Sequence, residues 1–130
     1  MTVSQFCPCG SSKLFGRCCR PYLCDEVQAK TPEKLMRSRY SAYALGGYGD
    51  YLLSTWWPAT ARGHEAIQLS EKSVIWQSLD VLKKSQQGDS GVVEFKASFL
   101  NDAGDSEIMH EVSNFQRSDG RWYYVDGDVN

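Results

Sequence analysis

The sequence predicts an α+β protein carrying a small cysteine-rich head, and three observations predict it. All five cysteines fall between positions 7 and 24 of a 130-residue chain. Apolar residues then recur at helical spacing from about position 31 to about 67, and from about 73 to 128 they recur at every second residue. Helices followed by a run of strands with short turns is the pattern of helices packed on one antiparallel sheet. At this length one core and a small appendage exhaust the chain, so the division is a head at 1–24, a connector at 25–30 and a main domain at 31–130.

In the head, Cys7-Pro8-Cys9 places two sulfurs one residue apart, and Cys18-Cys19 places two more next to each other after eight intervening residues. An odd number of cysteines fits a closed disulfide framework poorly, and neighbouring cysteines make strained partners because consecutive Cα atoms lie about 3.8 Å apart where a relaxed disulfide wants about 5.5 Å. Four thiolates instead satisfy a tetrahedral ion if the intervening segment folds back, and Gly10-Ser11-Ser12 is suited to that turn. The expected ligands are Cys7, Cys9, Cys18 and Cys19, with zinc as the favoured metal and iron as the alternative. A site closed by four cysteines leaves no open position, which makes it structural. Cys24 stays outside the set as a buried or free thiol. Lys13, Arg17 and Arg20 are the head's cations, with no acidic side chain before Asp25. They balance the site's negative charge or face a partner.

In the middle segment, Thr31-Pro32-Glu33 combines a hydroxyl cap, a first-turn proline and an acid at the positive end of the helix dipole. Gly46-Gly47 ends that helix. Met36, Tyr40 and Tyr43 form its apolar stripe, beside Leu35 and Ala42, while Arg39 stacks on Tyr43 at an exposed position. A second helix is predicted from Asp50 through Trp56, ended by Trp57-Pro58.

Strands are predicted at Trp76–Lys84, around Val93–Phe99, at Glu107–Arg117 and at Arg121–Asp126. Asn101-Asp102-Ala103-Gly104-Asp105 and Ser118-Asp119-Gly120 are turn sequences, so the strands should pair as consecutive hairpins.

The head resembles the SEC-C zinc motif through Cys7-Pro8-Cys9-Gly10-Ser11 and Cys18-Cys19. Leu35-Met36-Arg37-Ser38-Arg39-Tyr40-Ser41-Ala42-Tyr43, Tyr51-Leu52-Leu53, Thr55-Trp56 and Gly120-Arg121-Trp122-Tyr123-Tyr124-Val125-Asp126-Gly127 are similar to the bacterial YchJ family. That resemblance implies a fold like nuclear transport factor 2, a cone-shaped domain of helices packed on a curved antiparallel sheet. The SEC-C resemblance, to a module best known at the C-terminus of the bacterial preprotein-translocase ATPase, implies a partner such as a chaperone or the ribosome by analogy, and the YchJ resemblance implies none. It supplies no reaction.

Cones of this kind often hold a small ligand beside an acid or base, and the candidates are Asp50, Asp80, His110, Glu111, Tyr124 and Asp126. His110 and Glu111 are strand neighbours, so only one can face a cavity. The tryptophans are expected mainly as core. No phosphate loop, metalloprotease helix or nucleophile elbow appears, which leans against an enzyme. A net charge of −2 gives no global field for nucleic acid, so RNA binding would have to be local to the head. With no membrane-length apolar run, and no signal-peptide core in Met1-Thr2-Val3-Ser4-Gln5-Phe6, the protein is expected in the cytoplasm.

Overall fold

The computed structural model describes residues 5–72 and 74–129. The first four positions of the expected head, used above in reading the N-terminus, lie outside the described residues, as do position 73 and the last residue of the expected main domain. Helices α1 (Arg20–Leu23), α2 (Pro32–Leu45), α3 (Gly49–Ser54) and α4 (Ala66–Leu69) precede strands β1 (Ile75–Gln87), β2 (Ser90–Leu100), β3 (Ser106–Ser118) and β4 (Arg121–Val129). The fold is α+β: helices packed on a four-stranded antiparallel sheet, with the four cysteines clustered near the N-terminus. Among the described residues no helix is long and apolar enough to cross a membrane.

Helix α2 forms where its caps predict. The Thr31 hydroxyl accepts from the Lys34 amide at 3.2 Å, and the helix stops at Gly46, whose φ of 73° suits glycine. It buries more than a stripe, because Ser38, Arg39 and Ser41 are covered along with Leu35, Met36, Tyr40 and Ala42. The polar residues are covered by other segments that supply partners: Cys7 of the head for Ser41, and segment 51–55 for Ser38 and Arg39. Ser38 Oγ lies 2.6 Å from Tyr51 Oη and donates to the Leu35 carbonyl.

The expected second helix is shorter than its apolar residues suggest. It runs Gly49–Ser54, and Trp56 lies beyond it in a parallel bridge to Tyr124. The backbone explains the difference: Tyr124 N donates to Thr55 O at 2.8 Å and Trp57 N donates to Tyr124 O at 2.7 Å. Segment 55–57 is thereby recruited to the edge of the sheet.

The strands follow chain order, β1-β2-β3-β4, each paired antiparallel with the next. Shifts in register between Trp76 and Ser78, Val81 and Lys83, and Asn114 and Phe115 interrupt the ladders. Such bulges increase local twist and bend a sheet. Leu79, Val93, Phe95, Ala97, Phe115 and Trp122 pack inward in one core with Leu35, Met36, Tyr40 and Leu52.

Burial of this core has a titratable signature. It pushes the Tyr40 and Tyr51 phenols up to about 12, outweighing at Tyr51 the opposite pull of the Ser38 hydrogen bond, and it raises Tyr43 and Tyr124 as well. A phenol raised in the folded state contributes stability that is intact below its ordinary pKa of about 10 and lost as the pH climbs through the folded value. Stability is therefore expected to hold to about pH 10 and then fall by about 1.4 kcal/mol per pH unit for each such group. Circular dichroism and phenolate absorbance recorded together test this. Phenolate appearing at the ordinary pKa in a still-folded chain would contradict it.

Candidate metal centre and cavity

The head is a hairpin stapled at both ends. Phe6 and Leu14 form an antiparallel bridge, Cys7 N donates to Lys13 O at 2.8 Å, and Phe15 N donates to Gln5 O at 2.8 Å. Cys7 and Cys9 sit toward the tip, where Gly10 and Ser12 adopt positive φ, and a 3-10 turn at Phe15–Arg17 returns the chain to Cys18 and Cys19. One sulfur from each of Cys7, Cys9, Cys18 and Cys19 lies within 4.8 Å of the other three. Cys9 Sγ is 3.6 Å from Cys18 Sγ, which is 4.0 Å from Cys19 Sγ. Four sulfurs at ~2.3 Å from a central ion stand about 3.8 Å apart in a tetrahedron, so the set fits a metal, and these separations are far beyond a disulfide bond of ~2.05 Å.

Burial and outer contacts strengthen the fit. Cys7, Cys9 and Cys19 are buried and Cys18 is half-buried, whereas Cys24 is exposed, off the cluster. Ser11 Oγ lies 3.1 Å from Cys18 Sγ, Ser41 Oγ lies 3.5 Å from Cys7 Sγ, and Arg37 Nη1 donates to the Cys9 carbonyl at 2.7 Å. Arg37 is in turn held by Glu33 at 3.0 Å, and Glu33 reaches Lys84 of β1 at 2.6 Å. The ligands are thus oriented by α2, as second contacts around metal ligands commonly do. Hydrogen bonds from Cys19 and then Cys7 hold the Cys9 thiol well below its usual range. Hydrogen bonds with Cys7 and Cys9, with burial behind them, push Cys19 well above it, and burial raises Cys18. Thiols packed this closely ionise together only with a cation among them.

Lys13, Arg17 and Arg20 are all exposed on the head. Two residues that the sequence reading passed over join them: Phe6 is 72% exposed and Leu14 37%. Their signal was a pair of apolar residues flanking the cysteine turn without strand or helix periodicity.

Behind α2, between helix and sheet, lies a cavity of about 220 Å³. Its wall includes Arg39, Trp56, Trp76, Glu111, Ser113 and Tyr124. Of the residues expected at a cavity, Glu111 and Tyr124 line it and Asp80, His110 and Asp126 do not. Strand parity is the reason. Phe95 faces inward and pairs with Glu111, which leaves the Asp80–Lys96–His110 row and the Asn114–Asp126 pair on the outer face. There His110 meets Glu94 at 2.7 Å and Asp126 accepts from Asn114 at 2.8 Å. Asp50 is exposed in the first turn of α3.

Arg39 corrects a second expectation. It is buried, not exposed, and it lies over the rings of Tyr124 at 4.8 Å and Trp56 at 5.2 Å, with no such stacking on Tyr43. Its Nη1 donates to Leu52 O at 2.6 Å and Thr55 Oγ1 at 2.7 Å. Of the tryptophans, Trp122 is core, Trp56 and Trp76 line the cavity, and Trp57 packs on Tyr123 with ring centroids 5.6 Å apart. Glu111 has room because Gly127 faces it: a Cβ there would collide with the carboxylate. A glycine inside a strand commonly marks such an approach.

A family model described as YchJ, middle NTF2-like domain, matches residues 31–127. A UPF0225 protein from Chromobacterium violaceum is 50% identical over 129 residues, covering 95% of this chain and 92% of its own. Another from Serratia proteamaculans is 41% identical, covering 96% and 84%. A solution structure of a SEC-C motif containing protein from Rhodopseudomonas palustris superposes with a TM-score of 0.86 at 38% identity, covering 94% of this chain and 96% of that one. A crystal structure of a SEC-C motif containing protein from Psychrobacter arcticus gives 0.82 at 30% identity, covering 97% and 83%.

Proposed function

The chain belongs to the YchJ family, and from that premise we propose that it is a nonenzymatic docking protein whose zinc-ordered head binds an acidic protein segment bearing an apolar side chain. The observation that carries this reading is the composition of the exposed head: Phe6 and Leu14 are bridged across the hairpin and exposed, and Lys13, Arg17 and Arg20 are exposed on the same head. None of these three cations forms an ion pair among the described residues. An apolar pair beside unpaired cations complements a partner with the reverse charge. The metal would set the hairpin's shape, and zinc is the ion that four thiolates favour. The thiols need a reducing compartment, which supports the cytoplasm.

Capture from a reducing bacterial lysate, with and without nuclease, tests the reading on the metal-loaded protein. A variant carrying Lys13→Ser, Arg17→Ser and Arg20→Ser should keep its metal and lose roughly tenfold or more in affinity for the captured protein, since charge pairs set encounter and register. Phe6→Ser should weaken capture independently. Equal retention by all three proteins would remove the docking face from consideration. Retention that disappears with nuclease, and weakens with salt, would make the partner RNA.

A further inference from the structure

The cavity behind α2 has a polar inventory that points to a particular ligand class. Arg39 commits Nη1 to Leu52 O and Thr55 Oγ1 and has the Tyr43 phenol within reach, which leaves part of its five-donor guanidinium for a ligand. Glu111 Oε2 accepts from Ser113 and Tyr124, while Oε1 has no partner among them. Both residues line the same space and form no direct ion pair with each other. A third lining residue, Trp56, keeps a buried indole N–H with no partner among the described residues.

Each simple ligand class can be weighed against this wall. An aromatic carboxylate would suit Arg39 and meet repulsion at Glu111, and an aromatic ammonium would meet the reverse. A plain hydrocarbon would fill the aromatic space and leave the remaining Arg39 donors and Glu111 Oε1 unmatched, which burial penalises. A ring bearing a carbonyl next to an N–H answers both, accepting from the guanidinium and donating to the carboxylate. Trp76, Phe95 and Phe115 supply apolar ring surface. The volume of about 220 Å³ is below the ~300–1,000 Å³ of drug-sized sites and leaves room for one or two fused rings.

We propose that this cavity binds a small, neutral, planar heterocycle through its cyclic-amide edge, with Arg39 as the donor to its carbonyl and Glu111 as the acceptor from its N–H. The site stands apart from the docking face and does not depend on it.

The test uses the metal-loaded full chain and four two-ring probes of similar size: 2-quinolone, naphthalene, 1-naphthoate and 1-naphthylmethylammonium. Titration calorimetry and indole emission, with Trp56 and Trp76 in the wall, report binding. 2-Quinolone is expected to bind roughly tenfold tighter than each of the others, as sites built to pair a polar edge reject analogues lacking it. Glu111→Gln, checked for folding by circular dichroism, should reverse the order of 2-quinolone and 1-naphthoate by removing the negative charge. The Lys13, Arg17, Arg20 triple variant should bind all four as wild type does, which separates this result from the docking test. Wild-type preference for either ionic probe, an unchanged order in Glu111→Gln, or no response to any probe would each overturn the assignment. If the variant does not fold, the wild-type ranking alone decides.

Discussion

Cys9→Ser should empty the metal centre and unfold the head. Cys9 is fully buried, sits 3.6 Å from Cys18 Sγ and is tied through its carbonyl to Arg37. A serine hydroxyl at that corner does not ionise to replace a thiolate, and the other three sulfurs cannot close a structural tetrahedron. Structural zinc contributes on the order of 10 kcal/mol to the small domains that depend on it. Here the loss is shared with a preformed core, since Cys7, Cys9 and Cys19 cluster with Leu35 and Met36. The expected result is loss of stoichiometric metal, collapse of resonances from 5–24, and a fall in Tm of roughly 10 °C or more. Cys24→Ser, at an exposed position outside the cluster, should change none of these. Metal analysis beside amide spectra makes the test, and a variant that retains one ion with an intact head would refute the ligand assignment.

Arg39→Met should be the most damaging single change in the main domain outside the apolar core. The substitution keeps much of the volume, so the cost comes from what is left behind. Leu52 O loses its charged donor and Thr55 Oγ1 loses a partner, two aromatic faces lose their cation, and Glu111 is left in the cavity without a nearby positive charge. Leaving buried acceptors without their charged donor costs about 1–3 kcal/mol, and the lost cation over two rings adds about 0.5–2 kcal/mol. Arg39→Lys should recover only part of this, because an ammonium cannot reproduce the planar fork. Denaturant midpoints measure both. A methionine variant as stable as wild type would show that the guanidinium does not hold α2 to segment 52–55.

Features set by neighbouring residues were legible in the sequence, and features set by distant ones were not. The capped start of α2 and the hairpins around Asn101–Asp105 and Ser118–Gly120 rest on neighbouring residues, so they were legible. The cysteine spacing was equally plain, because two close pairs separated by a turn have few ways to meet. Arg39 was not legible as buried. A helical arginine is ordinarily exposed, and the groups that cover it come from segment 52–56 and from β4, far along the chain. Parity showed that His110 and Glu111 oppose each other, but the choice between them needed the Phe95–Glu111 register. Asp80 and Asp126 were misplaced for the same reason. Gly127 was the overlooked clue, a glycine two residues beyond the apolar end of a strand, whose missing side chain leaves room for Glu111.

The head's dependence on α2 and β1 has a consequence for the order of assembly during synthesis. Cys7 and Cys9 are made first, yet Arg37 and Ser41 support them, and Gly10 packs toward the Leu79 carbonyl, 3.2 Å from where a Cβ would stand. At roughly 5–20 residues per second, several seconds separate the first sulfur from the last piece of its support. The strands can zip as each emerges, because every one pairs with its neighbour in sequence. The most oxidisable atoms in the molecule therefore wait for support made well after them. Reductant and metal supply during translation, more than the finished fold's affinity, would set how much of the protein matures correctly.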